Sequence, residues 1–175
     1  NRDDIISKAD RARLDLLHSI ALDKNHLDVR DDSILRPAIE YYLRKGTAEE
    51  QVKTLYYSAR IYENSNDYEN ALSTLTDAES RIDKDCSPGI LVLLYSAKGR
   101  IYQQILDYSK AAENYHSAAR YSNLDSDIER YVSNTLREAH CLIMCSQTEK
   151  AAGLISGIGF HKESLSSRNL NKYHQ

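Results

Sequence analysis

Side chains able to grip an anion recur at a fixed interval in this chain: Arg60, Arg100 and His140 stand forty residues apart. Guanidinium groups suit carboxylate recognition, because each offers a planar fork of N–H donors that matches two oxygens. The packing alternative is that Arg60 and Arg100 pair with neighbouring acids such as Glu63 and Glu113 and hold helices together. Other constellations have simpler explanations. His140, Cys141 and Cys145 fall within two turns of one helix, and a metal site there would need a further ligand from elsewhere. Two small apolar thiols in a helix pair account for Cys141 and Cys145. Catalysis by a cysteine with His140 is disfavoured, since adjacent helical residues point about 100° apart.

Acid pairs such as Asp31 with Asp32 and Glu49 with Glu50 sit at helix starts, where they offset the helix dipole without any general acid–base role. Gly157-Ile-Gly159 has no preceding strand, and Lys162 lies outside phosphate-loop spacing, so the pair of glycines reads as a helix stop. No nucleophile–base–orienter set, metal cluster or cofactor loop assembles from these residues. The chain reads as a non-enzyme that needs no metal and no cofactor.

The bulk numbers narrow the class of partner. The 175 residues carry a net charge of −3, with 28% charged and 41% hydrophobic residues. Interspersed acids and bases argue against a nucleic-acid binder, which needs a basic face. Thirteen Tyr against one Phe and no Trp favour sites where a ring is buried and a hydroxyl stays wet, as at helix seams and groove walls. No run approaches the ~20 apolar residues of a membrane span. The chain begins at Asn1 without a basic and apolar leader, as expected of a mature or excised piece. Cys86, Cys141 and Cys145 are odd in number and fit no zinc spacing.

Apolar residues recur at three and four rather than two, which predicts helices throughout. The expected helices are 3–23, 32–45, 48–65, 68–83, 88–105, 108–122, 127–145 and 147–156, with a weaker segment at 162–173. Their starts are marked by Thr47 with Glu50, Asp67, Asp107, Ser87-Pro88, Ser126 with Glu129 and Ser146 with Glu149. Gly46 marks a stop, and short joints predict antiparallel hairpins. The whole chain, 1–175, is expected to be one domain of pairs 3–45, 48–83, 88–122 and 127–156, with 157–175 a capping segment or partial helix.

A period of about forty residues runs through this pattern. Ala59, Gly99 and Ala139 share one phase; Tyr62, Tyr102 and Leu142 another; Ala71, Ala111 and Ala151 a third; Ala78, Ala118 and Ile158 a fourth. Small residues at fixed phases let helices cross closely, and bulky ones a turn away fill the adjacent grooves. The stretches Tyr57-Ser-Ala-Arg-Ile-Tyr62 with Asp67-Tyr-Glu-Asn-Ala71, and Ala97-Lys-Gly-Arg-Ile-Tyr102 with Asp107-Tyr-Ser-Lys-Ala111, resemble the tetratricopeptide repeat. The likeness covers 48–122 best, with 123–158 a degenerate unit and 3–45 a looser first pair. The spacing is forty rather than thirty-four, and the trailing proline of the family is absent. The front half, from Ala21-Leu-Asp-Lys-Asn-His26 through Ala38-Ile-Glu-Tyr-Tyr42 to Tyr56-Tyr57, looks like tetratricopeptide lipoproteins of Bacteroides-type bacteria. That resemblance implies a cell-envelope or periplasmic location, with any membrane attachment through an anchor outside this chain.

The family resemblance implies an all-α, right-handed superhelical solenoid of about four antiparallel helix pairs, whose first helices line a concave groove. On that implication the partner-binding residues are Lys53, Tyr56, Arg60, Glu63 and Asn64, then Arg100, Gln103 and Gln104, then His140, with Ser96, Leu136, Ile143 and Met144 beside them. Such a groove suits an extended peptide or protein segment held by its carboxylates. The pattern departs from the chaperone-tail clamp of some family members, because Tyr56 and Arg60 stand where that clamp has basic and amide groups. The favoured expectation is a protein- or peptide-binding scaffold, with a variant in which it forms the sensory or regulatory, signalling part of a larger envelope protein. The alternative is a structural spacer or homo-oligomerisation module, resting on apolar Leu154, Ile155, Ile158 and Phe160 at the last pair.

Overall fold

The computed structural model describes residues 6–122 and 127–159. These residues form eight α-helices and no strand: α1 Lys8–Lys24, α2 Arg36–Lys45, α3 Ala48–Asn64, α4 Tyr68–Ser80, α5 Pro88–Gln104, α6 Tyr108–Tyr121, α7 Ile128–Met144 and α8 Thr148–Gly159. The protein is all-α. No helix among the described residues is long and apolar enough to cross a membrane.

Two compact units emerge, Asn1–Ile90 and Leu91–Gln175, each with its own core. In the first, α1 packs on α2 and α3, and α3 on α4. Its core gathers Leu16, Leu35, Tyr42, Val52, Leu55, Tyr56, Tyr57 and Leu75. In the second, α6 packs on α7, and α7 on α8. Tyr115 of α6 meets α5 through Gly99 and Gln103, while Tyr121 stacks on Tyr95, so α5 and α6 run antiparallel. Val132 of α7 packs with Ile158 of α8. Each fully buried side chain of this size contributes roughly 1.5–3 kcal/mol.

The forty-residue period is written most plainly in the turns. His26, Asn66, Leu106 and Ser146, each forty residues after the last, adopt left-handed backbone with φ of 57°, 60°, 63° and 60°. Around each, two backbone hydrogen bonds close the same C-terminal motif. Leu27, Asp67, Asp107 and Gln147 donate to the carbonyls of Leu22, Tyr62, Tyr102 and Leu142, and the left-handed residues donate to Asp23, Glu63, Gln103 and Ile143. This is a Schellman ending made without glycine. The small-residue phases are buried: Ala59, Gly99 and Ala139; Ala71, Ala111 and Ala151; Ala78, Ala118 and Ile158. The period also reaches the first pair through buried Ser19, Leu35 and Ala38, which the sequence pattern alone had left looser.

Capping follows the local sequence in most places. Thr47 accepts from the Glu50 N–H while Glu50 accepts from the Thr47 N–H, a complete capping box. Asp67 and Asp107 cap α4 and α6 through the N–H groups of Asn70 and Lys110. Gly46 ends α2, its N–H donating to Tyr42. Ser87 donates its N–H and hydroxyl to Glu49 of α3.

Other expectations are corrected. Ser146 is not a helix cap but the left-handed residue closing α7, and Gln147 directly precedes α8. Gly157 does not stop a helix: α8 continues to Gly159, because burial of Ile158 against Val132 outweighs the poor helix propensity of glycine. Ile158 is therefore not part of a bare apolar end. The Ser126 cap, Phe160 and the 162–173 segment lie outside the described residues.

Candidate functional site

In the first unit, the residues singled out by spacing are engaged with the fold. Arg60 donates from Nε to Asp23 at 2.9 Å and from Nη1 to Glu63 at 2.5 Å, with only 22% of its side chain exposed. Asn64 donates to the Val29 carbonyl at 3.0 Å. Together these bonds tie the end of α3 to α1 and to the segment after it, leaving a recess of only about 20 Å³. Two carboxylates already neutralise the Arg60 guanidinium, which is the packing role weighed above. Tyr56 is buried, its ring edge-on to Tyr57 at 4.9 Å. Lys53 reaches Glu49 at 3.4 Å, one helical turn away.

The second unit treats Arg100 differently. A cleft of about 180 Å³ runs between α5 and α7, and Arg100, Arg130 and Arg137 line it together. On α5 the lining comes at Val92, Ser96 and Arg100; on α7 at Arg130, Asn134 and Arg137. Both sets follow helical spacing, so each is one face of its helix. Ser96 donates to Asn134 at 2.9 Å and fixes the two faces against each other. Tyr115 rises from α6 into the floor and is fully buried. Its hydroxyl donates to Gln103 at 2.9 Å and accepts from Arg137 Nη1 at 3.4 Å. The Arg137 guanidinium also lies over the Tyr115 ring, 5.7 Å from its centre.

The electrostatics of this cleft are lopsided. Burial raises the Tyr115 phenol above its usual value, although Arg137 and Arg100 pull the other way. Arg130 reaches Asp127 at 3.3 Å across an exposed pair, which in water is worth little. Three arginines thus share one lining with Ser96, Ser133, Asn134 and Tyr115. The chemistry of such a lining suits an anionic group.

His140 does not line this cleft. It is exposed and stands edge-on to Tyr108 of α6, 6.5 Å between ring centres. Gln104 is exposed at the end of α5, and Gln103 serves to orient Tyr115. Of the forty-residue series, Arg100 alone contributes to a cleft of this kind. Arg130, Asn134 and Arg137 were missed because the reading followed the phase of His140. The recurrence of Arg130, Asn134 and Arg137 at spacings of four and three along one helix face was the signal that could have found them. Cys141 is buried against Ala111, Ala112 and Tyr115, as expected of an apolar thiol, whereas Cys145 is partly exposed.

A larger groove of about 830 Å³ lies among α6, α7 and α8, where buried Glu138 faces His116 at 3.0 Å. Its lining mixes the acids Glu113 and Glu138 with His116 and Lys150, whereas the α5–α7 cleft is lined by three arginines. Comparison with known protein families, characterised proteins and solved structures finds no match for this chain.

Proposed function

We propose that this chain is a non-catalytic interaction module of tetratricopeptide type, and that its second unit grips an acidic segment of a partner protein in the α5–α7 cleft. The observation that carries this reading is that Arg100, Arg130 and Arg137 line one cleft together with Ser96, Asn134 and Tyr115. Arginine forks bind carboxylates bidentately, and a preformed cleft on two helices spares the protein the entropy of ordering itself. The repeat-family assignment draws support from the shared turn at His26, Asn66, Leu106 and Ser146 and from buried small residues at fixed phases. A right-handed superhelical arrangement and a cell-envelope location belong to the same proposal and rest on the resemblance.

The test is crosslinked capture from cell-envelope extract, comparing the native chain with an Arg100→Gln, Arg137→Gln variant of equal helicity. A partner held by the native chain, lost by the variant and displaced by an acidic peptide supports the reading. Equal capture by both chains sinks it.

One observation favours a second reading, self-association. Ile105, Leu106, Ile143 and Met144 of the second unit are exposed apolar side chains near the ends of α5 and α7. Mass that rises with concentration, together with capture of this chain alone, would support that version.

A further inference from the structure

We infer that the first unit carries a separate binding cleft for a short acidic, partly apolar peptide segment, between the start of α1 and the end of α2. This cleft has a volume of about 470 Å³, within the range of pockets that hold ligands. Lys8 and Arg11 enter it from α1, one turn apart, and Arg44 and Lys45 from the last turn of α2. Glu40 is the single acid in the lining. Arg11 is held by buried Asp15 at 2.7 Å. Lys8, Arg44 and Lys45 have no acid partner among the described residues.

Helix stability explains only half of this arrangement. Arg44 and Lys45 at a helix C-terminus complement the macrodipole. Lys8 does the opposite, since it occupies the first position of α1, where the dipole disfavours a cation. Unpaired like charges brought together in a recess raise the energy of the empty state and attract an anion. The lining also has an apolar part: Ile6, Pro37 and Tyr41, with Tyr41 held edge-on against buried Tyr42 at 5.4 Å. Bare phosphate would use the cations and leave this apolar part idle. A peptide with two or more carboxylates flanking an apolar residue engages both.

The site is independent of the α5–α7 cleft, and the experiment keeps them apart. The probe is a fluorescein-labelled Glu-Asp-Leu-Glu-Asp peptide, followed by anisotropy at low salt. The protein is the full chain carrying Arg100→Gln and Arg137→Gln, so the second unit's cleft does not contribute. Adding Lys8→Ala, Arg44→Ala and Lys45→Ala is expected to weaken binding about tenfold or more with the melting temperature unchanged. Arg44→Gln alone, the milder variant, is expected to weaken it several-fold. The Gln-Asn-Leu-Gln-Asn counterpart is expected not to bind. Unchanged affinity in the cation variants overturns the proposal. So does full displacement by an equal concentration of pyrophosphate, which would mark a bare anion site, or tighter binding of a single-stranded oligonucleotide.

Discussion

A Cβ placed on Gly99 would come within 2.8 Å of Tyr115 Cδ1 and 2.9 Å of its Cε1, so α5 has a glycine where the fully buried Tyr115 ring lies flat against it. The same two phases are held by Ala59 with Leu75 and by Ala139 with Ile155. Volume is conserved across the pair: the one unit that takes a tyrosine gives up a methyl group opposite. This exchange brings a phenol hydroxyl to the floor of the arginine cleft.

Gly99→Ala is therefore expected to destabilise the protein by about 1–3 kcal/mol through overpacking. Adding Tyr115→Leu, which restores the pairing of Ala59 with Leu75, should recover part of that loss. Urea unfolding of the two singles and the double would measure the coupling. Additive losses would show that the close contact is not the cause.

Leu106 stands at φ 63° and is 69% exposed, so its side chain buries little while its backbone is left-handed. The left-handed region costs a non-glycine residue roughly 1–2 kcal/mol, and glycine loses roughly 0.5–1 kcal/mol of that advantage in entropy. Leu106→Gly should stabilise the chain by up to about 1 kcal/mol. Asn66→Gly should gain less, because asparagine tolerates this region. Paired thermal melts would decide the order.

Arg60 and Arg137 should separate packing from binding. Arg60→Gln breaks the bond to Asp23 that ties α3 to α1 and the bond to Glu63 within α3, and a loss of about 1–3 kcal/mol is expected. Partner capture per folded molecule should persist in that variant. Arg137→Gln should reverse the pattern, with capture lost and stability nearly kept. Denaturation and capture measured on the same preparations would show either ordering.

Burial is the dominant influence on Glu138 and raises its carboxyl above the ordinary 4.5; His116 works in the opposite direction. The folded chain thus keeps this proton to higher pH than the unfolded chain does. The stability so contributed is fully present below the unfolded value and is lost as pH rises through the folded one. His116, Glu113, Lys150, Cys141 and Cys145 are the other titrating groups near this carboxyl. Relative to Glu138→Gln, the native chain should lose stability on raising the pH from about 4.5 toward neutrality. Parallel slopes for the two chains would refute this.

Thiol reactivity should be strongly uneven. Burial, with the Cys145 charge adding to it, pushes the Cys141 thiol up to about 11, and burial also raises Cys86. Cys145 is partly exposed. A disulfide reagent at mildly alkaline pH should modify Cys145 first and reach Cys86 and Cys141 only on unfolding. Mass spectrometry of the labelled peptides would identify the order.

Much of the architecture was legible in the chain because it depends on neighbours in sequence. Helix positions follow the three-and-four spacing of apolar residues, and Thr47 with Glu50, Asp67 and Asp107 cap the helices they precede. Both effects act over one turn, so a window of a few residues contains their cause. The buried small residues at Ala59, Gly99, Ala139, Ala71 and Ala111 were also marked by the repeat itself.

Contacts between distant segments decided the rest. Which groups an arginine meets depends on what arrives from elsewhere: Asp23, far back in the chain, meets Arg60, and the packing of α7 beside α5 puts Arg130 and Arg137 in one cleft with Arg100. The face of α7 opposite α5 is set by how the helices pack, so Arg130, Asn134 and Arg137 joined the site while His140 turned to Tyr108. The forty-residue spacing places a residue on a turn of a helix; only packing in three dimensions chooses the neighbour that its side chain meets.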